Sequence, residues 1–223
     1  MTDLLDTVQG FLALGGPVVA ILLAMSMLGL ALVLVKLWQF RRAGVGDHAA
    51  LIAALDQADR GATQGALQQA AKARSHLAPL AVLALNSGGE GEALRARLSG
   101  LAEEAIARLQ SGFRLLDSIA QVAPLLGLFG TVLGMITAFQ ALQEAGANVD
   151  PSALAGGIWV ALLTTAVGLG VAMPAALVLT WFESRVAREA RLAMQIVDVA
   201  LCRGVALDTC PMEARSSATL AHA

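Results

Sequence analysis

Leu125-Leu126-Gly127-Leu128-Phe129-Gly130-Thr131-Val132-Leu133-Gly134 is an apolar run that carries three glycines and a single hydroxyl. It lies inside a stretch, Ile119 to Leu142, without one charged residue, long enough as a helix to cross a hydrocarbon core of about 30 Å. Gly127, Thr131, Gly134 and Ala138 recur at spacings of four, three and four, which stacks them on one helix face. A simple lipid anchor would be rich in Leu, Ile and Val all round. This face is instead small enough for another backbone to come close, and Gly130-x-x-x-Gly134 adds a small-xxx-small packing pair.

A second uncharged stretch, Ala153 to Phe182, repeats the pattern with Ala161, Thr165, Gly168 and Ala172. A third begins at Pro17, and its only charge before Leu37 is Lys36. The 223 residues are 57% hydrophobic and 14% charged, with mean hydropathy +0.69, too few charges to cover a soluble domain of this size. These patterns predict an all-α integral membrane protein with three transmembrane helices, at 17–38, 118–142 and 153–182.

Outside the spans the chain reads as helical. Residues 1–14 alternate apolar and polar side chains at helical spacing and predict a short amphipathic segment on the membrane surface, ended by Gly15-Gly16-Pro17. No Lys or Arg precedes the first apolar run, so a cleaved signal peptide is not expected. Residues 43–117 form a polar helical region with short helices near 47–59, 62–74 and 77–86. Ser87 and Glu90 have the spacing of a capping box. From Glu92 no strong breaker appears until past Leu116, which predicts one helix running on to about Leu142, a rod of ~75 Å for its roughly 50 residues. Residues 143–152 are a linker. Residues 183–223 continue the third span as a helix and then a tail, frayed from about 208.

The basic residues decide orientation. All fifteen Lys and Arg fall in the 41–117 region, in the tail, or at the boundary next to them. The positive-inside rule therefore predicts a cytoplasmic loop and C-terminus, with the N-terminus and the 143–152 linker on the opposite side.

Each membrane threonine has two readings. A buried threonine commonly satisfies its hydroxyl on the carbonyl three or four residues earlier. Alternatively, in a ring of subunits, Thr131 and Thr165 line a narrow path and offer hydrogen bonds within it. Neither titrates near neutral pH, and the second and third spans hold no acid or base. If protons move, a partner must bring the carboxylate. Cys202 and Cys210 lie eight apart with no nearby His, and His48, His76 and His222 are scattered over polar segments. No nucleophile-base pair, phosphate loop or basic nucleic-acid patch appears. Neither an enzyme nor a metal, cofactor or nucleic-acid partner is expected.

The residues Ala123-Pro124-Leu125-Leu126-Gly127-Leu128-Phe129-Gly130-Thr131-Val132-Leu133-Gly134-Met135, then Gly157-Ile158-Trp159-Val160-Ala161-Leu162-Leu163-Thr164-Thr165-Ala166-Val167-Gly168-Leu169 and Met173-Pro174-Ala175, resemble the MotA/TolQ/ExbB proton-channel family, most of all its ExbB and TolQ branch. The resemblance is specific over about 117–190. It implies a pentamer in a bacterial inner membrane, enclosing the single membrane helices of two ExbD- or TolR-like subunits, each of which brings an aspartate. The complex would use the proton-motive force to drive an envelope-spanning protein such as TonB or TolA. Thr131 and Thr165, with Thr164 beside them, would line the ion pathway, and Pro124, Gly127, Gly130, Gly134, Ala161, Gly168, Ala172 and Pro174 would pack the helices.

One position departs from the pattern. Many ExbB and TolQ proteins have a glutamate where this chain has Val160, which exchanges no proton. Either that glutamate is dispensable or this member works differently; the presence of Pro124, Gly127, Thr131, Thr165 and Pro174 favours the first. The alternatives are a non-conducting scaffold, a motility stator of the same superfamily, and sodium in place of protons.

Overall fold

The computed structural model describes residues 2–87, 92–145 and 151–202. Among the described residues seven helices follow in order: α1 Thr2–Arg42, α2 Ala49–Asp59, α3 Thr63–Lys72, α4 Ala78–Asn86, α5 Glu92–Gln110, α6 Phe113–Ala145 and α7 Pro151–Cys202. No strand occurs among them. Three of their helical stretches are long and apolar enough to cross a membrane, Gly16–Arg42, Phe113–Glu144 and Leu154–Leu201. The fold is that of an all-α membrane protein with three spans.

Local chemistry sets the breaks. Gly16 leaves helical geometry, with φ 62 and ψ −162. The next residue, Pro17, lacks an N–H and disfavours α geometry in its predecessor, and glycine alone takes a positive φ there at little cost. The short helices α2, α3 and α4 fall within two residues of their expected bounds. Glu90 of the expected capping box lies outside the described residues, as does 146–150 of the linker and the tail from 203. The Ser87 hydroxyl donates to Leu83 O at 2.7 Å, at the end of α4.

The single helix expected from Glu92 to Leu142 is two helices. α5 stops at Gln110 and α6 starts at Phe113, with Gly112 between them at φ 82. Lone glycines are tolerated inside helices, so Gly112 by itself does not mark a break in the sequence. What stabilises the break comes from far away in the chain. The Lys36 ammonium donates to Leu109 O at 3.1 Å and to Ser111 Oγ at 3.0 Å, and Ser111 Oγ donates to Arg108 O at 2.9 Å. A cation thus sits on the terminal carbonyls of α5, where those groups have no helical partner and the helix dipole is negative.

The chain packs as two units. In the first, α1 up to Val35 joins Gly112–Trp181, and Val18 and Leu22 of α1 close on Ala123 of α6 and Ala172 of α7. Large apolar side chains such as Leu28, Leu34, Leu125, Phe129, Leu162 and Leu177 point outward, as lipid or neighbouring helices require. In the second, α2 to α5 surround the distal part of α7. Leu51, Ala54, Ala66, Leu77, Leu85 and Leu98 pack with Leu192, Ala193, Ile196 and Val197 in one core. Phe40 and Phe182 meet edge to face at 5.0 Å in the same unit.

Lys36→Met removes the ammonium and leaves buried acceptors at the α5 terminus. It should cost about 1–3 kcal/mol, read as a lower melting temperature in detergent. Arg108→Ala removes only an exposed i,i+4 pair with Glu104 and should change stability by no more than about 0.5 kcal/mol.

Candidate functional site

Helices α6 and α7 meet along a seam of glycines, alanines and a threonine. On α6 it runs through Ala123, Gly127, Gly130, Gly134 and Ala138; on α7 through Gly157, Ala161, Thr164 and Gly168. The closeness is measured by what a methyl group would meet. A Cβ on Gly134 would lie 2.9 Å from Ala161 Cβ, one on Gly157 2.6 Å from Ala138 Cβ, and one on Gly168 2.6 Å from the Ala123 carbonyl oxygen. Such backbone approach is open only to glycine.

The sequence stripe puts Thr131 on this face with Gly127, Gly134 and Ala138. Positions 130 and 131 flank the same line on a 3.6-residue helix, and the structure turns Gly130 inward. A Cβ on Gly130 would lie 2.6 Å from Thr164 Oγ1. Thr164 fills the space facing that glycine, 2% exposed, and donates to Ala161 O at 2.7 Å with a longer contact to Gly127 O at 3.3 Å. Ala123 and Gly157 complete the seam and were not singled out by the sequence stripe; their signal is the continuation of the same spacing by one turn at each end.

Thr131 and Thr165 lie at the margin of the seam, both half-buried. Thr131 donates its hydroxyl proton to Leu128 O at 2.6 Å, and Thr165 donates to Gly127 O at 3.2 Å. Gly127 O is also the acceptor expected for the Thr131 N–H in a regular α-helix, so both threonines converge on one stretch of α6 backbone. With its proton engaged, each hydroxyl has only lone pairs left to offer. Each suits a donor, such as water, a protonated carboxylic acid or a cation, better than a carboxylate anion.

The remaining expected packing residues divide by exposure. Gly127, Gly130, Gly168, Ala161 and Ala172 are buried, Pro124 and Gly134 are half-buried, and Pro174 is exposed. Pro174 sits inside α7 without ending it, and its missing N–H frees the carbonyl of Gly170 from its helical partner. Val160 is half-buried, one residue before Ala161. Among the described residues no group of three or more His, Cys, Asp or Glu could hold a metal ion.

The family model described as "MotA/TolQ/ExbB proton channel family" matches residues 54–195, more than half of the chain. The chain belongs to the MotA/TolQ/ExbB proton channel family. It is 35% identical over 176 residues to the putative biopolymer transport protein ExbB-like 1 of Synechocystis sp., covering 74% of this chain and 66% of that protein. It is 30% identical over 164 residues to a putative ExbB homolog of Methanothermobacter thermautotrophicus, covering 71% and 57%. A shorter match, 47% over 68 residues, joins it to the biopolymer transport protein exbB1 of Vibrio cholerae and covers 30% of each chain. The matched part thus spans less than two thirds of the length of each of these relatives. The threonines of its second and third spans lie along this close contact of α6 and α7.

Gly168→Ala drives a methyl group into backbone and should cost about 1–3 kcal/mol through overpacking. At Gly170 no atom lies within 4 Å of an added Cβ, so Gly170→Ala should leave thermal stability in detergent unchanged or slightly raised.

Proposed function

We propose that this chain is the ion-conducting subunit of an inner-membrane motor of the ExbB/TolQ type. Five copies form a ring around the single membrane helices of two ExbD- or TolR-like subunits. The proton-motive force then energises a TonB- or TolA-like protein that spans the envelope. The observation that carries this reading is the chemistry of the second and third spans. They contain no titratable group, yet Thr131 and Thr165 hold hydroxyl oxygens with free lone pairs at the edge of a rigid seam.

A chain built this way cannot relay protons by itself, because a hydroxyl does not titrate near neutral pH. It can receive a donor. A partner aspartate in its protonated form presents one O–H, and the two threonine oxygens accept such a donor or the water that delivers its proton. Acceptors favour the neutral acid over the carboxylate, which matches the need to carry a proton through an apolar layer. Val160 bears no proton, so in this reading transfer uses the partner's acid and water alone.

The orientation is part of the proposal. Basic residues flank the spans on one side only, and the Arg42 guanidinium stacks over the Trp38 ring at 3.8 Å at the end of α1, an aromatic and basic pair suited to a cytoplasmic boundary. The N-terminus and the 143–152 linker then face the periplasm, and the 43–117 region and the tail face the cytoplasm.

Thr165→Val and Thr131→Val remove the lone pairs at nearly constant volume. Each should lower proton flux through reconstituted complex about tenfold, a barrier increase of about 1.4 kcal/mol, without loss of assembly, whereas Thr165→Ser should conduct. Unchanged flux in both valine variants would sink the pathway assignment.

A further inference from the structure

The turn between α1 and α2 is fastened to two other segments of its own packed unit. Ala43 O accepts the His76 N–H at 2.9 Å. Gly44, at φ 64, lies so close to the Arg74 carbonyl that a Cβ there has no room. Gly46, at φ 90, donates its N–H to Glu189 Oε1 on α7 at 3.1 Å, and a Cβ on it would lie 3.2 Å from the Arg185 guanidinium. Residues 43–48, the Arg74-Ser75-His76 corner and one turn of α7 are therefore held together at a few points.

At the centre is a buried carboxylate between two imidazoles. Glu189 is 3% exposed; His48 Nε2 stands 2.8 Å from its Oε1 and His76 Nε2 3.7 Å from its Oε2. His48 Nδ1 is 3.0 Å from Ser75 Oγ, and Ser75 Oγ accepts the Leu77 N–H at 3.2 Å. Gly46 N also lies 3.1 Å from His48 Nε2, so the His48 ring touches the backbone of the turn, Ser75 and Glu189 together.

His76 is placed differently. Its ring is largely buried, and neither ring nitrogen has a hydrogen-bond partner among the described residues. A neutral imidazole carries one N–H, and protonation adds a second together with a positive charge in this dry site. Nε2 stands 3.7 Å from Glu189 Oε2, too far for a hydrogen bond, so the closed site solvates that charge poorly, which costs free energy inside a protein. The charged and titratable groups around it come from each packed segment: His48 from the turn, at 6.3 Å between ring centroids, and Glu189 with Arg185 from α7. Burial pushes the His76 imidazole below its ordinary 6.5; the Glu189 carboxylate and the Ala43 backbone oppose this, and His48 reinforces it.

We infer that Glu189, His48 and His76 form an acid-labile clasp, closed over α7 while the His76 imidazole is neutral and opened when it takes up a proton. Opening lets the charged ring reach water and releases the 43–48 turn together with the 74–76 corner. The sign follows from proton linkage. The closed state binds fewer protons than the open one, so its stability is complete above the ordinary imidazole value and is lost as pH falls through that value towards the lowered one. The clasp senses the compartment that holds residues 43–117, whatever ion the spans conduct. The two rings approach opposite oxygens of one carboxylate, the geometry of proton sharing rather than of convergence on one metal.

Hydrogen exchange on the full chain in lipid nanodiscs tests this at the amides of Gly46, His76 and Leu77. After correction for intrinsic rates, these amides should exchange several-fold, up to about tenfold, faster at ~pH 5.5 than at ~pH 7.5 in the wild type. In His76→Gln, neutral at both pH values, the extra acid sensitivity should vanish. Its persistence in that variant, or its absence in the wild type, would overturn the clasp. Histidine-labelled wild-type protein supplies a reading that no variant can spoil by misfolding: the His76 ring should titrate below the ordinary imidazole range, together with the increase in exchange. A His76 ring charged at neutral pH overturns the proposal. So does Zn²⁺, added alone, if it slows exchange at these amides in the wild type but not in His76→Gln, since the cluster would then be a metal site.

Discussion

The carbonyl of Gly127 is where the membrane part of this chain is drawn together. It lies in a seam so close that Gly168 of α7 has no room for a methyl group, and hydroxyls of Thr164 and Thr165 reach it across the helix contact. In a lipid environment burial of apolar surface does not favour helix association, so close contact and interhelical hydrogen bonds must do so. Glycine and alanine supply the first, and the two threonines the second. The outward leucines and phenylalanines of α6 and α7 are left free for lipid or for neighbouring subunits.

The same arrangement bears on the polarity of the candidate pathway. Threonines in a membrane helix must place their protons, and the nearest acceptors are backbone carbonyls. Once Thr131 and Thr165 have done so, their oxygens remain as acceptors at the margin of a rigid surface. The bland role of a buried threonine and its role in a pathway are therefore compatible. Satisfying the hydroxyl proton on the helix is what orients the lone pairs.

Outside the spans, stability comes from another source. Alanines let α2 to α5 approach the distal part of α7 closely, and a few buried polar groups fix the connections: Lys36 on the α5 terminus and the Glu189 cluster on the turn after α1. Each pairs residues far apart in sequence. Lys36 meets Leu109 and Ser111, and His48 meets Glu189. These polar groups are costly to bury and gain from specific partners, so they define a particular geometry rather than simply adding to the core.

Span count, helical class, the short helices of 43–86 and the threonine-bearing small-residue stripes were all legible in the sequence, because hydropathy and periodicity are local properties that a bilayer makes nearly obligatory. The family membership was legible too, from the runs around Thr131 and Thr165. What local pattern could not decide was register and partnership. The stripe puts Thr131 on the packed face by spacing, but once α7 is packed against it Gly130 faces Thr164 while Thr131 turns to its own helix. Gly112 ends a helix because Lys36 caps it from another element. His48 and His76, scattered along the chain, meet one carboxylate only after α7 runs past the turn following α1. The sequence by itself determined which segments are helices and which of them suit a membrane, since backbone groups in lipid must be satisfied within the helix. Tertiary structure alone decided which face meets which, because contacts at the scale of one methyl group and hydrogen bonds between distant residues exist only once the helices are packed.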